Sequence, residues 1–140
     1  RPEFDRVVDV IVWGLEESRQ IKKHAGYDKT IGFFKALIAK NEIKGAALIT
    51  TKGTIIYSSL TDEVLLRSMR ELEIRYMSGT FDLPQLFYTL GDGQKVCERV
   101  VSYKNFINLL MILQFSKDTQ LGMVDYNADM IAERLKKLLS

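Results

Sequence analysis

The chain has 140 residues, 46% hydrophobic and 27% charged, with only nine Gly and two Pro, which is the size and make-up of one ordered domain with one core and excludes a linker-rich or low-complexity architecture. Twenty Lys and Arg against 18 Asp and Glu leave a net charge of +2. The signs alternate along most segments, so the basic stripe that phosphate backbones require is missing, which argues against nucleic acid.

A single cysteine, Cys97, allows no internal disulfide, and no apolar run is long enough to cross a bilayer. Together with the lack of a leader-peptide pattern, this points to a reducing, cytoplasmic setting without membrane insertion. Arg1-Pro2-Glu3-Phe4 are read as an expression-vector remnant and given no function. Residues 1–27 are read as an N-terminal extension and 28–140 as the domain proper.

From Asp5 to Lys23, Val8, Ile11 and Leu15 fall at helical spacing although the segment is rich in β-branched residues; a helix is expected, closing near Gly26 with Lys22, Lys23 and His24 beside its last carbonyls. Asp28 is the expected cap of a second helix, with Ile31, Phe34, Leu37 and Ile38 on one stripe and an end near Asn41. Residues 45–50 and 54–60 read as a hairpin through Thr51-Lys52-Gly53, where glycine supplies the positive φ of a tight turn. Thr61 then caps a helix in which Asp62 and Glu63 occupy the first turn, Leu65, Met69, Leu72 and Tyr76 recur at i, i+4, i+7 and i+11, and Gly79 marks the end.

Strands follow at 85–90 and 94–103, joined by Gly91-Asp92-Gly93, and at 106–115, where FINLLMILQF suits a central strand covered on both faces. Val124, Ala128, Ile131, Leu135 and Leu138 mark an amphipathic closing helix. The order helix, helix, strand, strand, helix, strand, strand, strand, helix fits a five-stranded antiparallel sheet, a hairpin plus a three-stranded meander, with helices on both faces and no long crossover.

The helix from Asp28 to Asn41, the hairpin GAALITTKGTIIYSS, the helix from Thr61, the pair LPQLFYTLGDGQKVCERV, the run NLLMILQ and the closing helix to Leu139 resemble the roadblock family, the dynein light-chain roadblock group and its prokaryotic relatives. The resemblance covers about residues 28–140 and rests on element order and local pattern. It implies an α+β fold, a roadblock-like (profilin/longin-type) α/β/α sandwich, here with an extra N-terminal helix. It also implies a non-enzymatic homodimer, or a heterodimer with a roadblock paralogue, that scaffolds or regulates small Ras-like GTPases or serves as a motor adaptor. Carried onto this chain, the dimer surface would comprise Leu65, Met69, Leu72 and Tyr76 on the helix and Leu86, Phe87 and Tyr88 on the following strand. Independently of any family, a strand such as 85–90, free of Lys and rich in aromatics, is an aggregation hazard unless paired, and a symmetric partner removes that hazard.

Groups that carry chemistry are sparse. His24 is the sole histidine, placed at a helix end, and Cys97 has no CxxC companion. Gly91-Asp92-Gly93-Gln94-Lys95 lacks the Gly-Lys-Ser/Thr ending of a phosphate loop and joins two strands. The pairs Asp62/Glu63 and Glu71/Glu73 suit a helix start and a solvated helix face. No cofactor, metal site or catalytic residue is therefore assigned. Trp13, Arg67, Arg70 and Arg75 are candidate contacts to a partner, Trp because it is over-represented among interface anchors and the arginines because a GTPase can require one in trans. The competing readings are a sensory module holding a small ligand between sheet and helix with Tyr57, Phe87, Tyr88 or Tyr103, and an enzyme of unrecognised type.

Overall fold

The computed structural model describes residues 16, 18–50, 53–77, 85–103 and 106–140, with side chains 72, 75–77, 103 and 106–108 left out of the description. After a helical stretch at residues 18–23 (α1), the elements run α2 (Tyr27–Ala39), β1 (Gly45–Thr50), β2 (Ile55–Ser58), α3 (Asp62–Met77), β3 (Gln85–Thr89), β4 (Lys95–Tyr103), β5 (Phe106–Phe115) and α4 (Leu121–Leu139). The five strands form one antiparallel sheet in the order β2-β1-β5-β4-β3, so the hairpin and the meander are joined through β5 as the element order predicts.

Each strand presents alternate side chains to opposite faces, and here both faces are covered. Leu109, Met111, Leu113 and Phe115 of β5 enter the core that holds Ile21 of α1, Phe34 and Leu37 of α2, and Val124, Ala128, Ile131 and Leu135 of α4. Leu110 and Ile112 turn the other way, with Ala47, Ile49, Val96 and Tyr88, toward Val64 and Leu65 of α3. This two-sided burial is why the β5 run is apolar without alternation. The architecture is the α/β/α sandwich anticipated, with α1, α2 and α4 on one face and α3 on the other.

Local chemistry moves several boundaries. Asp28 is not the α2 cap: Gly26 holds that position without a side-chain cap, and Thr30 Oγ1 donates to the Gly26 carbonyl over 2.8 Å. Asp28 instead lies in the first turn, where its charge meets the helix dipole favourably. At the other end, Asn41 adopts φ 59°, and Glu42 N–H donates to Leu37 O while Asn41 N–H donates to Ile38 O, each over 3.0 Å. That is a Schellman closure with asparagine in the left-handed position.

The second strand stops at Ser58, two residues short of the expected span: Ser59 N–H still donates to Ala46 O over 2.9 Å, but the Ala46 N–H goes to Ser59 Oγ over 2.9 Å in place of a backbone carbonyl. Gly53 has φ 90°, as the turn requires, while Thr51 and Lys52 lie outside the described residues. Thr61 does cap α3, its Oγ1 accepting from Val64 N–H over 3.4 Å. On α4 the last buried position is Leu139 and not Leu138. A period of 3.6 leaves the two almost equally far from the centre of the stripe, and Leu138 lies where its carbonyl meets the α1–α2 turn. A Cβ on Gly26 would come within 1.7 Å of that carbonyl oxygen.

Val8, Ile11, Trp13 and Leu15 of the extension, Gly79, and the segment from Ser78 to Pro84 lie outside the described residues. The described end of the extension contributes Ile21 to the main core.

Candidate dimerisation and partner-binding surface

Among the described residues the β3 strand forms one edge of the sheet, pairing with β4 alone. Its side chains alternate strictly: Leu86 and Tyr88 are buried, and Gln85, Phe87 and Thr89 are exposed. Leu86 stands opposite Glu98, and Phe87 opposite Cys97, in the ladder. Leu86 and Tyr88 therefore lie beneath α3, while Phe87, 39% exposed, projects on the α4 side of the sheet edge.

Tyr88 fastens this edge to α3. Its hydroxyl shares a short hydrogen bond with Ser68 Oγ, the Val64 carbonyl oxygen lies 3.5 Å away, and the Arg67 guanidinium sits 4.5 Å from the centre of its ring. Burial pushes the Tyr88 hydroxyl above its ordinary 10.0, opposed by the Ser68 hydrogen bond and reinforced by the Glu98 charge. Ser68 follows Val64 by one helical turn on the sheet-facing side, so a single serine in an apolar stripe receives the one polar group that the strand sends inward. The edge strand is thereby fixed in position against the helix.

Among the sequence candidates, Leu65 is 8% exposed and packs on the sheet, and Met69 packs against the same cluster. Among the described residues, the apolar side chains that α3 turns outward are Leu66, 66% exposed, and Ile74, 54% exposed, with the exposed Arg70 between them at i+4. Periodicity over the whole helix favoured the inward stripe; only the position of the sheet distinguishes it from the shorter outward one. Arg67 is exposed yet engaged with Tyr88. Trp13 and the side chains of Leu72, Arg75 and Tyr76 lie outside the described residues.

On the opposite face, Arg99 reaches from β4 to α4, pairing with Asp129 and, over 3.5 Å, with Asp125. Neighbouring Cys97 is buried, and desolvation raises its thiol above 9.0 against the lowering pull of Arg99, so the protonated, unreactive form dominates near neutrality. Among the described residues no three His, Cys, Asp or Glu are grouped to hold a metal ion, and no helix is long and apolar enough to cross a membrane.

Two of the aromatic residues considered for a ligand pocket between sheet and helix are otherwise occupied. Tyr57 stacks on Phe34 with centroids 6.0 Å apart and planes 5° from parallel, and Tyr88 is engaged by Ser68 and Arg67. Phe87 points to the other side of the sheet edge, and the side chain of Tyr103 lies outside the description. A concavity of about 530 Å³ lies instead between α2 and α4.

No family model matches the chain, and no curated protein matches it by sequence. Solved structures do match by fold. The gliding protein MglB of Thermus thermophilus aligns with a TM-score of 0.57 at 14% identity, covering 82% of this chain and 91% of that one. MglB of Myxococcus xanthus aligns with a TM-score of 0.58 at 16% identity, covering 80% and 95%. An MglB with a tetrameric arrangement aligns with a TM-score of 0.56 at 15% identity, covering 82% and 90%. The chain thus has the roadblock fold over most of its length.

Proposed function

We propose that this chain is a non-enzymatic, cytoplasmic scaffold or regulator that dimerises through β3 and α3 and binds a small Ras-like GTPase. The observation that carries this reading is a sheet edge open among the described residues and tied to α3 through Tyr88 and Ser68, with exposed apolar side chains on both elements, Phe87 on the strand and Leu66 and Ile74 on the helix. Unpaired strand edges and exposed aliphatic side chains gain most when a second copy covers both at once. Leu86 and Tyr88 would join the seam through their backbone, because their side chains are already buried. Leu65 and Met69 would support it from beneath, with Leu72 and Tyr76 further along the helix.

The partner copy is this chain itself or a roadblock paralogue. The fold likeness to MglB proteins, one of them described as tetrameric, supports an assembling role. Arg70, exposed on the outward stripe, is the described arginine best placed to meet a GTPase; Trp13, Arg67 and Arg75 complete the candidate contacts. The nucleotide and its Mg²⁺ would belong to the GTPase, so the contribution of this chain is shape and charge.

Light scattering coupled to size exclusion tests the assembly. Wild type is expected to run as a dimer, and Phe87→Lys and Leu66→Glu as monomers with unchanged circular dichroism, since both positions are exposed. A wild-type monomer, or dimers in both variants, would refute the seam. Binding is then measured by titrating GTP- and GDP-loaded Ras-like GTPases against the dimer; Arg70→Ala should weaken it without changing the mass.

A further inference from the structure

The concavity between α2 and α4 lies on the face of the sheet opposite α3. Its floor is apolar, made by Phe33, Leu37 and Ile131, and Met130, 53% exposed, stands on its wall. The rim is charged, but unevenly so once internal pairs are removed. Asp129 shares Arg99 with Asp125, and Glu133 pairs with Lys136. Lys40, Arg134 and Lys137 also line the groove, and no carboxylate among the described residues pairs with any of them. Glu42 is the third acid of the lining. Three cations with no carboxylate paired to them, against Glu42 and an Asp129 only partly compensated by the shared Arg99, leave an apolar trough with a modestly basic rim.

From this we infer that the α2–α4 groove docks an amphipathic helix from a partner protein, with an apolar stripe and acidic flanks. Its secondary structure follows from the walls. Both are α-helices whose backbone groups are spent internally, so the groove offers no N–H or C=O row to an extended peptide, and an occupant must satisfy its own backbone. A helix does so. Asn127 to Lys137 spans about 15 Å along α4, enough for roughly three turns of a docked helix at 1.5 Å per residue. Anchors at i, i+3, i+4 and i+7 would enter over Leu37 and Ile131. Met130 would adapt to them, because the unbranched thioether repacks at low cost. The acids beside those anchors would meet Lys40, Arg134 and Lys137. This inference is independent of the β3–α3 seam.

The test uses the full chain and a fluorescein-labelled synthetic helix of roughly 18 residues, or five turns, with Leu at the anchor spacing and Glu on both flanks. A peptide with Lys in place of Glu serves as comparison. By fluorescence anisotropy at physiological salt, the Glu-flanked peptide should bind roughly tenfold or more tightly than the Lys-flanked one. Met130→Glu and Arg134→Glu should each weaken it by a similar factor, while the thermal midpoint stays near wild type because both side chains are exposed. With ¹³C-methyl methionine, the Met130 signal should move on titration and that of fully buried Met111 should not. Equal binding of the two peptides, or binding indifferent to Met130→Glu, would overturn the inference. So would a groove filled by a second copy of the chain, seen as a rise in mass with concentration that Met130→Glu abolishes.

Discussion

On the face covered by α2 and α4, the sheet meets a close-packed layer centred on Phe34, Met111, Leu113, Phe115, Val124 and Leu135, each essentially excluded from water. The hydroxyl buried there on α2, that of Thr30, is spent on a carbonyl of the same helical turn. On the α3 face the layer is smaller and carries polar groups across it. Ser68 meets Tyr88, and Glu98, 2% exposed, lies beneath the helix. Polar groups held in a core contribute less than the aliphatic surface they displace, but they constrain orientation. The α2–α4 face therefore holds the larger share of the buried apolar side chains, and the α3 face adds polar contacts that fix how helix and edge strand meet.

Truncation in the larger layer should have the greatest effect. Phe34→Ala removes a fully buried ring that also supports Tyr57 and should cost about 3–5 kcal/mol in denaturant unfolding, leaving the mass of the folded species unchanged. A fall in mass at temperatures where the variant is still folded would show that the two faces are not separable in this way.

Tyr88→Phe should cost less, about 1–3 kcal/mol, because it strands the buried Ser68 hydroxyl while keeping the ring and its contact with Arg67. Its larger effect should be on assembly, read as a dimer that dissociates at higher protein concentration than wild type. Ser68→Ala together with Tyr88→Phe should recover stability relative to the single variant, since no unpaired hydroxyl is then left.

The smallest effect separates the faces by titration. Cys97 and Tyr88 both have folded values raised above their ordinary 9.0 and 10.0, chiefly by burial. Each therefore contributes no penalty below its unfolded value: the folded state holds its proton more tightly, and stability is lost as pH rises through the unfolded value toward the folded one. Stability should begin to fall near the ordinary Cys97 value of 9.0. In Cys97→Ala the onset should move toward the ordinary Tyr88 value of 10.0, and in Tyr88→Phe the later part should shrink, with Tyr27, also raised by burial, accounting for the remainder. Urea midpoints measured from roughly pH 8 to 11 in the three proteins test the sign and the order.

Much of this organisation was legible in the residues. The span of β1, the unbroken apolar run of β5, the Thr61 cap and the exposed, Lys-free β3 edge all follow from local pattern, because period, capping chemistry and turn glycines act over a few residues. The Asp28 cap failed for an equally local reason: Thr30 could reach back to Gly26, and the helix begins at Tyr27. The outward surface of α3 was harder to see. Leu65 and Met69 form the longer apolar series, and nothing in their spacing distinguishes a core stripe from an interface.

What the chain by itself determined is the element order, the meander and the resemblance to a roadblock sandwich. Tertiary structure alone decided that Leu66, Arg70 and Ile74 face outward, that Tyr88 crosses to Ser68, and that α2 and α4 stand far enough apart to leave a basic-rimmed groove. Each of these depends on where one element lies against another in space, and residues distant in sequence carry no local signal of that distance.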